Sequence, residues 1–286
     1  MQPTATIIED SISPDGIRLT TIQLRYWRPI HSEFMTHRVF GRNARSSRAV
    51  PVMALLREPI VEPLHYGMNR PGMQAVEKMT GLRLFAARMI WRGMARMTRL
   101  GVRGLVALGG HKQWANRPLE WFGCIDVLAT ATDFANFYGL RLDGGAQPEM
   151  RALAEAMKAA MDQSRPKVLL PGQWHLPYVT SEERATLSLA DQRKLSTARC
   201  ARLTYKPFDG AGDIASETAR HDRLVVSRPV HASPAEHQAT PDIAIVDQPG
   251  SDRVWEKPQL HGNLRGWCQY RKMLPNEAIE EPRLAA

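Results

Sequence analysis

Between Thr36 and Arg48 the chain reads Thr36-His37-Arg38-Val39-Phe40-Gly41-Arg42-Asn43-Ala44-Arg45-Ser46-Ser47-Arg48, four arginines, one histidine and two serines in thirteen residues. Arginine presents a planar fork of N–H donors that matches phosphate oxygens, while serine hydroxyls and loop N–H groups fill the remaining acceptor positions. Such a loop suits a phosphorylated small molecule or a nucleic-acid backbone, and composition does not separate the two. Further polar groups recur downstream. Gln113 and Arg117 stand four apart, as on one helix face. Arg141 sits just before Asp143-Gly144-Gly145, and His231-Ala232-Ser233-Pro234-Ala235-Glu236-His237 places two histidines around a glutamate. His175 lies in a segment with Trp174 and Tyr178 that either closes over a ligand or packs. His111, His221 and His261 have no metal-spaced partner, so no metal is expected.

The elements that must hold these residues follow from pattern. Residues 17–30, rich in β-branched and aromatic side chains and stopped at Pro29, predict a strand. The polar stretch 36–48 reads as a loop. Helices are expected over about 73–100 and 109–122, then over 132–140 and 147–162, broken by the glycines at 144 and 145. A connector at 165–180 leads to helices over 186–202 and 217–228. Residues 238–260 read as an extended loop, and 262–272 as a strand with a basic end that makes Arg271 a further candidate. The tail after 275 is expected to fray.

At 286 residues the chain can bury a substantial core without staples. Cys124, Cys200 and Cys268 form no CxxC pair, which argues against a disulfide framework or zinc site and for a reducing cytoplasm. No leader pattern or run of about 20 apolar residues stands out, so a soluble protein without a membrane span is expected. Thirty-eight Lys+Arg against 29 Asp+Glu give a formal charge of +9, which favours phosphorylated partners. Much of that excess falls in 82–103, where Arg recurs among apolar residues at helical spacing.

His37, Arg38, Asn43, Ser46 and Arg48 resemble the motif of the flavin-dependent thymidylate synthases: Arg-His-Arg, two variable positions, Ser, one variable, Asn-Glu, one variable, Ser, one variable, Arg-Tyr. The chain departs at Thr36, Gly41, Ala44 and Ala49, where that family has Arg, Ser, Glu and Tyr. A second block, Asn136 through Arg151, resembles the family's Asn-Phe-Leu-x-Leu-Arg-x-Asp-x-x-Ala-Gln-x-Glu-Ile-Arg. Lys112 through Arg117 resembles its Lys-Glu-x-Ala-Arg with one residue inserted. The His231–His237 segment is similar to the family's His-x-(Ser/Thr)-x-x-Glu-His, which normally precedes the Arg-rich motif and here follows it. A permuted or rearranged member, similar to phage-type sequences, is the simplest account, with the rearranged segment at about 186–275 of one domain.

The resemblance implies an α/β (α+β) fold with an antiparallel sheet flanked by helices, assembled as a homotetramer. It implies a reductive methylation in which NADPH reduces FAD, 5,10-methylenetetrahydrofolate supplies the carbon, and dUMP becomes dTMP in the cytoplasm of the cell or, for a phage protein, of its host. His37, Arg38, Asn43, Asn136 and His237 would bind the flavin. Glu33, Ser46, Arg48, Gln113, Arg117 and Arg141 would bind the pyrimidine deoxynucleotide, with Arg141 and Ser46 in the catalytic role. No protein nucleophile is required, which agrees with cysteines outside any Pro-Cys-His context. Glu33 stands where the family usually has Gln. A carboxylate accepts but does not donate, so a dCMP methylase or hydroxymethylase is the rival within the fold. A basic nucleic-acid-binding protein is the rival outside it, although the Asn136–Arg151 block has no role there.

Overall fold

The computed structural model describes residues 1–203, 212–226, 230–246, 253–275 and 277. Strands β1 (Thr4–Ile12) and β2 (Arg18–Trp27) form an antiparallel hairpin, in register from Ile12↔Arg18 to Thr4↔Arg25, with a bulge between Ile7 and Glu9. Gly16 supplies the positive φ of its turn, +78°. Strand β2 stops before Pro29, which has no N–H to donate to a ladder. On its far edge β2 pairs antiparallel with β4 (Cys124–Ala131), which in turn carries the short edge strand β3 (Gly41–Ala44). A two-residue strand, β5 (Lys167–Val168), adds to β1 in parallel, giving the order β3-β4-β2-β1-β5. The sheet is thus antiparallel except at this last pair.

Nine α-helices are described: α1 (His31–Phe34), α2 (Val52–Arg57), α3 (Gly81–Ala107), α4 (Lys112–Ala115), α5 (Ala135–Arg141), α6 (Pro148–Gln163), α7 (Ser181–Thr186), α8 (Leu189–Arg202) and α9 (Ile214–Val225). Two-residue alternation in β4 splits the core. Ile125, Val127, Ala129 and Ala131 face one side, where Met150, Leu153, Ala154 and Met157 of α6 pack, all four fully buried. Burying each of the larger three contributes about 1.5–3 kcal/mol. Leu128 faces the opposite side, against Cys200, Leu203 and Tyr178. The described part of the 186–275 stretch therefore covers the second face of the sheet through Cys200, Leu203 and His237. Part of it forms two small ribbons, β6 (Ala239–Pro241) with β9 (Trp267–Gln269), and β7 (Ala244–Val246) with β8 (Val254–Trp255).

Several boundaries differ from expectation for local reasons. The helix expected over 73–100 begins at Gly81, because residues 66–79 form a hairpin with Met68 N–H on Glu77 O and Met79 N–H on Tyr66 O, 2.7 Å each. The helix expected over 109–122 is cut by Pro118 into α4 and a 3-10 turn, Arg117–Phe122. The expected loop 238–260 contains β6, β7 and β8, although 247–252 lie outside the described residues. The 262–272 stretch is strand only over β9 and then turns into a 3-10 segment, Tyr270–Met273. Residues 227–228 of the last expected helix, and the tail after 275 apart from Glu277, lie outside the described residues. No helix among the described residues is long and apolar enough to cross a membrane.

Candidate functional site

Helix α5 buries Phe137 within an aromatic cluster of Phe34, Phe40 and Phe134, and one turn later presents Arg141 on the same side. The turn after α1 brings His37 to that point, its ring edge-on to Phe137 at 4.8 Å between centroids. Arg141 Nε–H donates to His37 Nε2 at 3.0 Å, and Arg141 Nη1 lies 3.6 Å from Glu33 Oε2. The bond makes His37 Nε2 an acceptor, so the ring is neutral with its proton on Nδ1. Burial, with the charges of Arg141 and Arg42 beside it, holds the His37 pKa below the ordinary histidine value. Thr36, where the family has Arg, spends its hydroxyl on Glu33 O at 2.7 Å.

The four loop arginines divide by what they touch. Arg42 Nη1 donates to Met35 O and His37 O at 2.7 and 3.2 Å and closes the turn. Arg45 pairs with Glu58 at 2.9 Å and Asp126 at 3.0 Å. Arg38 and Arg48 are exposed and make no ion pair among the described residues. Only these two present free guanidinium groups to a ligand, a division invisible in the sequence.

The second group of candidates gathers at the other end of β3. Ser46 and Arg48 flank Ser47, whose hydroxyl donates to Glu120 Oε1, the same oxygen that Arg117 Nη1 reaches at 2.9 Å. Arg28 holds the other carboxylate oxygen of Glu120 at 2.9 Å. Fully buried Asn116 donates to Ser47 O at 2.8 Å and Val50 O at 3.0 Å, which fixes the loop against α4. Gln113 lies exposed on α4, and Arg117 is half exposed. The turn that carries Ser46 and Arg48 is thus tied to the segment that carries Gln113 and Arg117, and Ser47 and Glu120 line a cleft with Arg28, Arg45, Glu58 and Arg99. Asn116 and Glu120 organise this end. The only sequence signal for Asn116 was its place as the inserted residue of the Lys112–Arg117 block. Asn116→Ala leaves Val50 O without a donor, while Ser47 O keeps the Val50 N–H at 3.2 Å, and is expected to cost about 1–3 kcal/mol in a denaturant titration.

Of the other expected flavin residues, Asn43 and His237 are engaged inside the fold and Asn136 is not. Asn43 Nδ2 donates to Cys200 O at 3.2 Å, and Asn136 is exposed on the first turn of α5. His237 is fully buried, its Nδ1 2.8 Å from Thr130 Oγ1. From there a buried chain runs through Thr21 Oγ1 (2.7 Å) and His175 Nε2 (2.8 Å) to Ser11 Oγ, 2.9 Å from His175 Nδ1. His175, read as closing over a ligand or packing, packs. Arg271 is engaged by Glu236 and Glu277.

Asp242, His261 and Cys268 bring three ligand-type atoms within 4.8 Å of one another, but both ring nitrogens of His261 are engaged in hydrogen bonds. Gly266 N–H donates to His261 Nδ1 at 3.1 Å, which puts the ring proton on Nε2, and Nε2 donates to Asp242 Oδ2 at 2.8 Å. A histidine ligates through whichever ring nitrogen has a free lone pair, and here Nδ1 already accepts from Gly266 while Nε2 carries the proton. The trio is a closed hydrogen-bond cluster.

No family model matches the chain, and no curated protein matches it. Among solved structures it is similar to the UMP/dUMP methylase PolB from Streptomyces cacaoi. The form bound with 5-Br UMP is 17% identical with a TM-score of 0.44, covering 56% of this chain and 89% of that one. The form bound with 5-Br dUMP is 18% identical with a TM-score of 0.46, covering 56% and 90%. Identities and scores this low decide neither substrate nor chemistry.

Proposed function

We propose that the chain is an enzyme that transfers a one-carbon unit to C5 of a pyrimidine deoxynucleotide with the help of a flavin, dUMP to dTMP being the leading reaction. The observation that carries this reading is the 3.0 Å contact between Arg141 and His37. Two motifs 104 residues apart, matched separately to one family, meet at a single guanidinium.

The residues around that contact fit a flavin dinucleotide in part. His37, exposed Arg38 and exposed Asn136 stand on neighbouring turns and offer the donors a dinucleotide pyrophosphate and ring would use. Asn43 and His237 are engaged inside the fold and would support the wall behind it. FAD, reduced by NADPH, would supply the hydride chemistry and 5,10-methylenetetrahydrofolate the carbon. The chain's own work is positional and electrostatic. Ser46, Arg48, Gln113 and Arg117 would hold the phosphate, and Arg141 would stabilise negative charge on the pyrimidine while Glu33 and His37 orient its plane. Assembly as a homotetramer belongs to the same proposal.

Glu33, 39% exposed beside Arg141, supports a second reading. Its carboxylate has an acceptor to offer the amino group of cytosine, which makes dCMP the alternative substrate.

Titrating the protein with FAD tests the reading first: flavin fluorescence should quench with half-saturation at tens of micromolar or tighter, about −6 kcal/mol or better. Arg48→Ala and Arg117→Ala should each weaken nucleotide binding by about 1.5–3 kcal/mol while flavin stays bound. Unquenched flavin, or nucleotide affinity unchanged in both variants, would count against the assignment.

A further inference from the structure

One short segment joins the two ends of the candidate site. Arg28 opens it with its bond to Glu120, and Glu33 and His37 close it around Arg141. Between them, on α1, stands His31, which lies outside every motif of the sequence. Arg28 and Glu120 of one end and Arg42 of the other all act on its ring.

The tautomer of that ring is set from inside the fold. Tyr26 is 1% exposed, packed beside Phe34, with its hydroxyl 2.8 Å from His31 Nδ1 and no other hydrogen-bond partner among the described residues. A phenol carries one hydrogen. Were Nδ1 to donate to the phenol oxygen, that hydrogen would be buried without an acceptor, a cost the opposite arrangement avoids. Tyr26 therefore donates, Nδ1 accepts, and the ring proton sits on Nε2. Burial, with Arg28 and Arg42 nearby against only Glu120, holds the His31 pKa down at about 4, so the imidazole is uncharged at neutral pH. Burial pushes the Tyr26 phenol up, so it keeps its hydrogen. The Nε2–H of His31 meets no acceptor among the described residues and, unlike Nε2 of His237, is not sealed from solvent.

We propose that His31 is a nucleotide-binding residue whose Nε2–H donates to a carbonyl oxygen of the pyrimidine, with Tyr26 the positioning residue that aims it. The inference rests on the nucleotide reading above. Hydrogen bonds from charged donors are the stronger ones to phosphate, and exposed Arg48 and half-exposed Arg117 supply them, so an uncharged donor suits the base. Arg28 and Arg42 do not compete for that oxygen, being spent on Glu120 and on Met35 O and His37 O. Helix α1 thus carries one donor, His31, and one acceptor, Glu33, a pattern that the edge of a pyrimidine complements.

Calorimetric titration of the full chain with dUMP and dCMP tests this on whichever binds more tightly. His31→Leu should weaken nucleotide binding about tenfold, His31→Gln, which restores an uncharged N–H, should recover most of the loss, and Tyr26→Phe should fall between. FAD affinity should stay at the wild-type value. Inorganic phosphate, competing against the nucleotide, should bind wild type and variants equally. Spectra of ¹⁵N-histidine-labelled wild type should show His31 as the Nε2–H tautomer before any ligand is added, and Tyr26→Phe should show a mixture. A wild-type ring protonated on Nδ1 overturns the proposal. So does a loss in His31→Gln as large as in His31→Leu, and so does a loss shared equally by inorganic phosphate. Nucleotide binding that Arg48→Ala weakens and His31→Leu does not removes this proposal alone; wild type that binds neither nucleotide removes the nucleotide reading and this proposal with it.

Discussion

Arg141→Lys is expected to lower product formation by about 10²–10³ while nucleotide affinity changes much less and flavin reduction by NADPH persists. Lysine keeps the positive charge and loses the planar fork. In the structure that fork is already divided, Nε on His37 and Nη1 toward Glu33, so the guanidinium plane is set before any ligand arrives. A group fixed in this way stabilises developing charge without reorganising, and loss of one such donor typically costs 10²–10³ in rate, about 2.7–4 kcal/mol. The pair of assays is stopped-flow flavin bleaching for the reductive half and chromatography of the nucleotide product for the other. Equal loss of bleaching and product would mean that Arg141 holds the flavin. Unchanged product would remove it from the site.

The second large effect is on stability as pH falls. Complete burial holds the His237 pKa down at about 3, against an ordinary value of 6.5. The unfolded chain therefore takes up a proton near 6.5 that the folded chain refuses until about 3. Stability from this group is present above 6.5 and is lost as pH falls through that window, with a slope of about 1.4 kcal/mol per pH unit. Glu9 works in the opposite sense. Its burial outweighs its pairing with Arg184 and raises its pKa to about 7, so its contribution is full below about 4.5 and is lost as pH rises through 7. Comparison with His237→Gln isolates the histidine: Gln can still reach Thr130 and does not titrate. Urea unfolding from about pH 7 to 4 should show the variant's stability falling less steeply, by about 1.4 kcal/mol per pH unit. Identical slopes would mean that His237 is hydrated or already charged in the fold.

The parts of the fold legible in the sequence are those where one residue pattern has one outcome. The β-branched run ending at Pro29 became β2, and α6 formed almost as its spacing indicated. Strand β1 was not legible because Glu9, Asp10 and Ser11 break its pattern, and only the fold supplies their partners. Asp10 takes both Arg18 nitrogens, Thr20 and Ser164, and Ser11 ends the buried histidine chain. The site was legible as a set of motifs and not as a geometry. Composition put four arginines in one loop, but which of them meets solvent depends on Glu58 and Asp126, far away in sequence for the second. His237 carried a motif match, yet its position beneath β4 is a consequence of the segment after 186 folding across the sheet. The outward face of α3 was visible only as a basic amphipathic stretch, because periodicity gives two faces without saying which one the body covers.

One-carbon transfer to C5 changes the mass of the nucleotide, which makes that mass the decisive readout. The protein is incubated with FAD, NADPH, 5,10-methylenetetrahydrofolate and either dUMP or dCMP, and the nucleotide pool is analysed by mass spectrometry. A product heavier by one methylene is expected from dUMP, abolished when FAD is omitted; product from dCMP alone would move the substrate to the Glu33 reading and leave the chemistry standing. Recovery of both nucleotides unchanged, from protein shown to bind and reduce flavin, would contradict it.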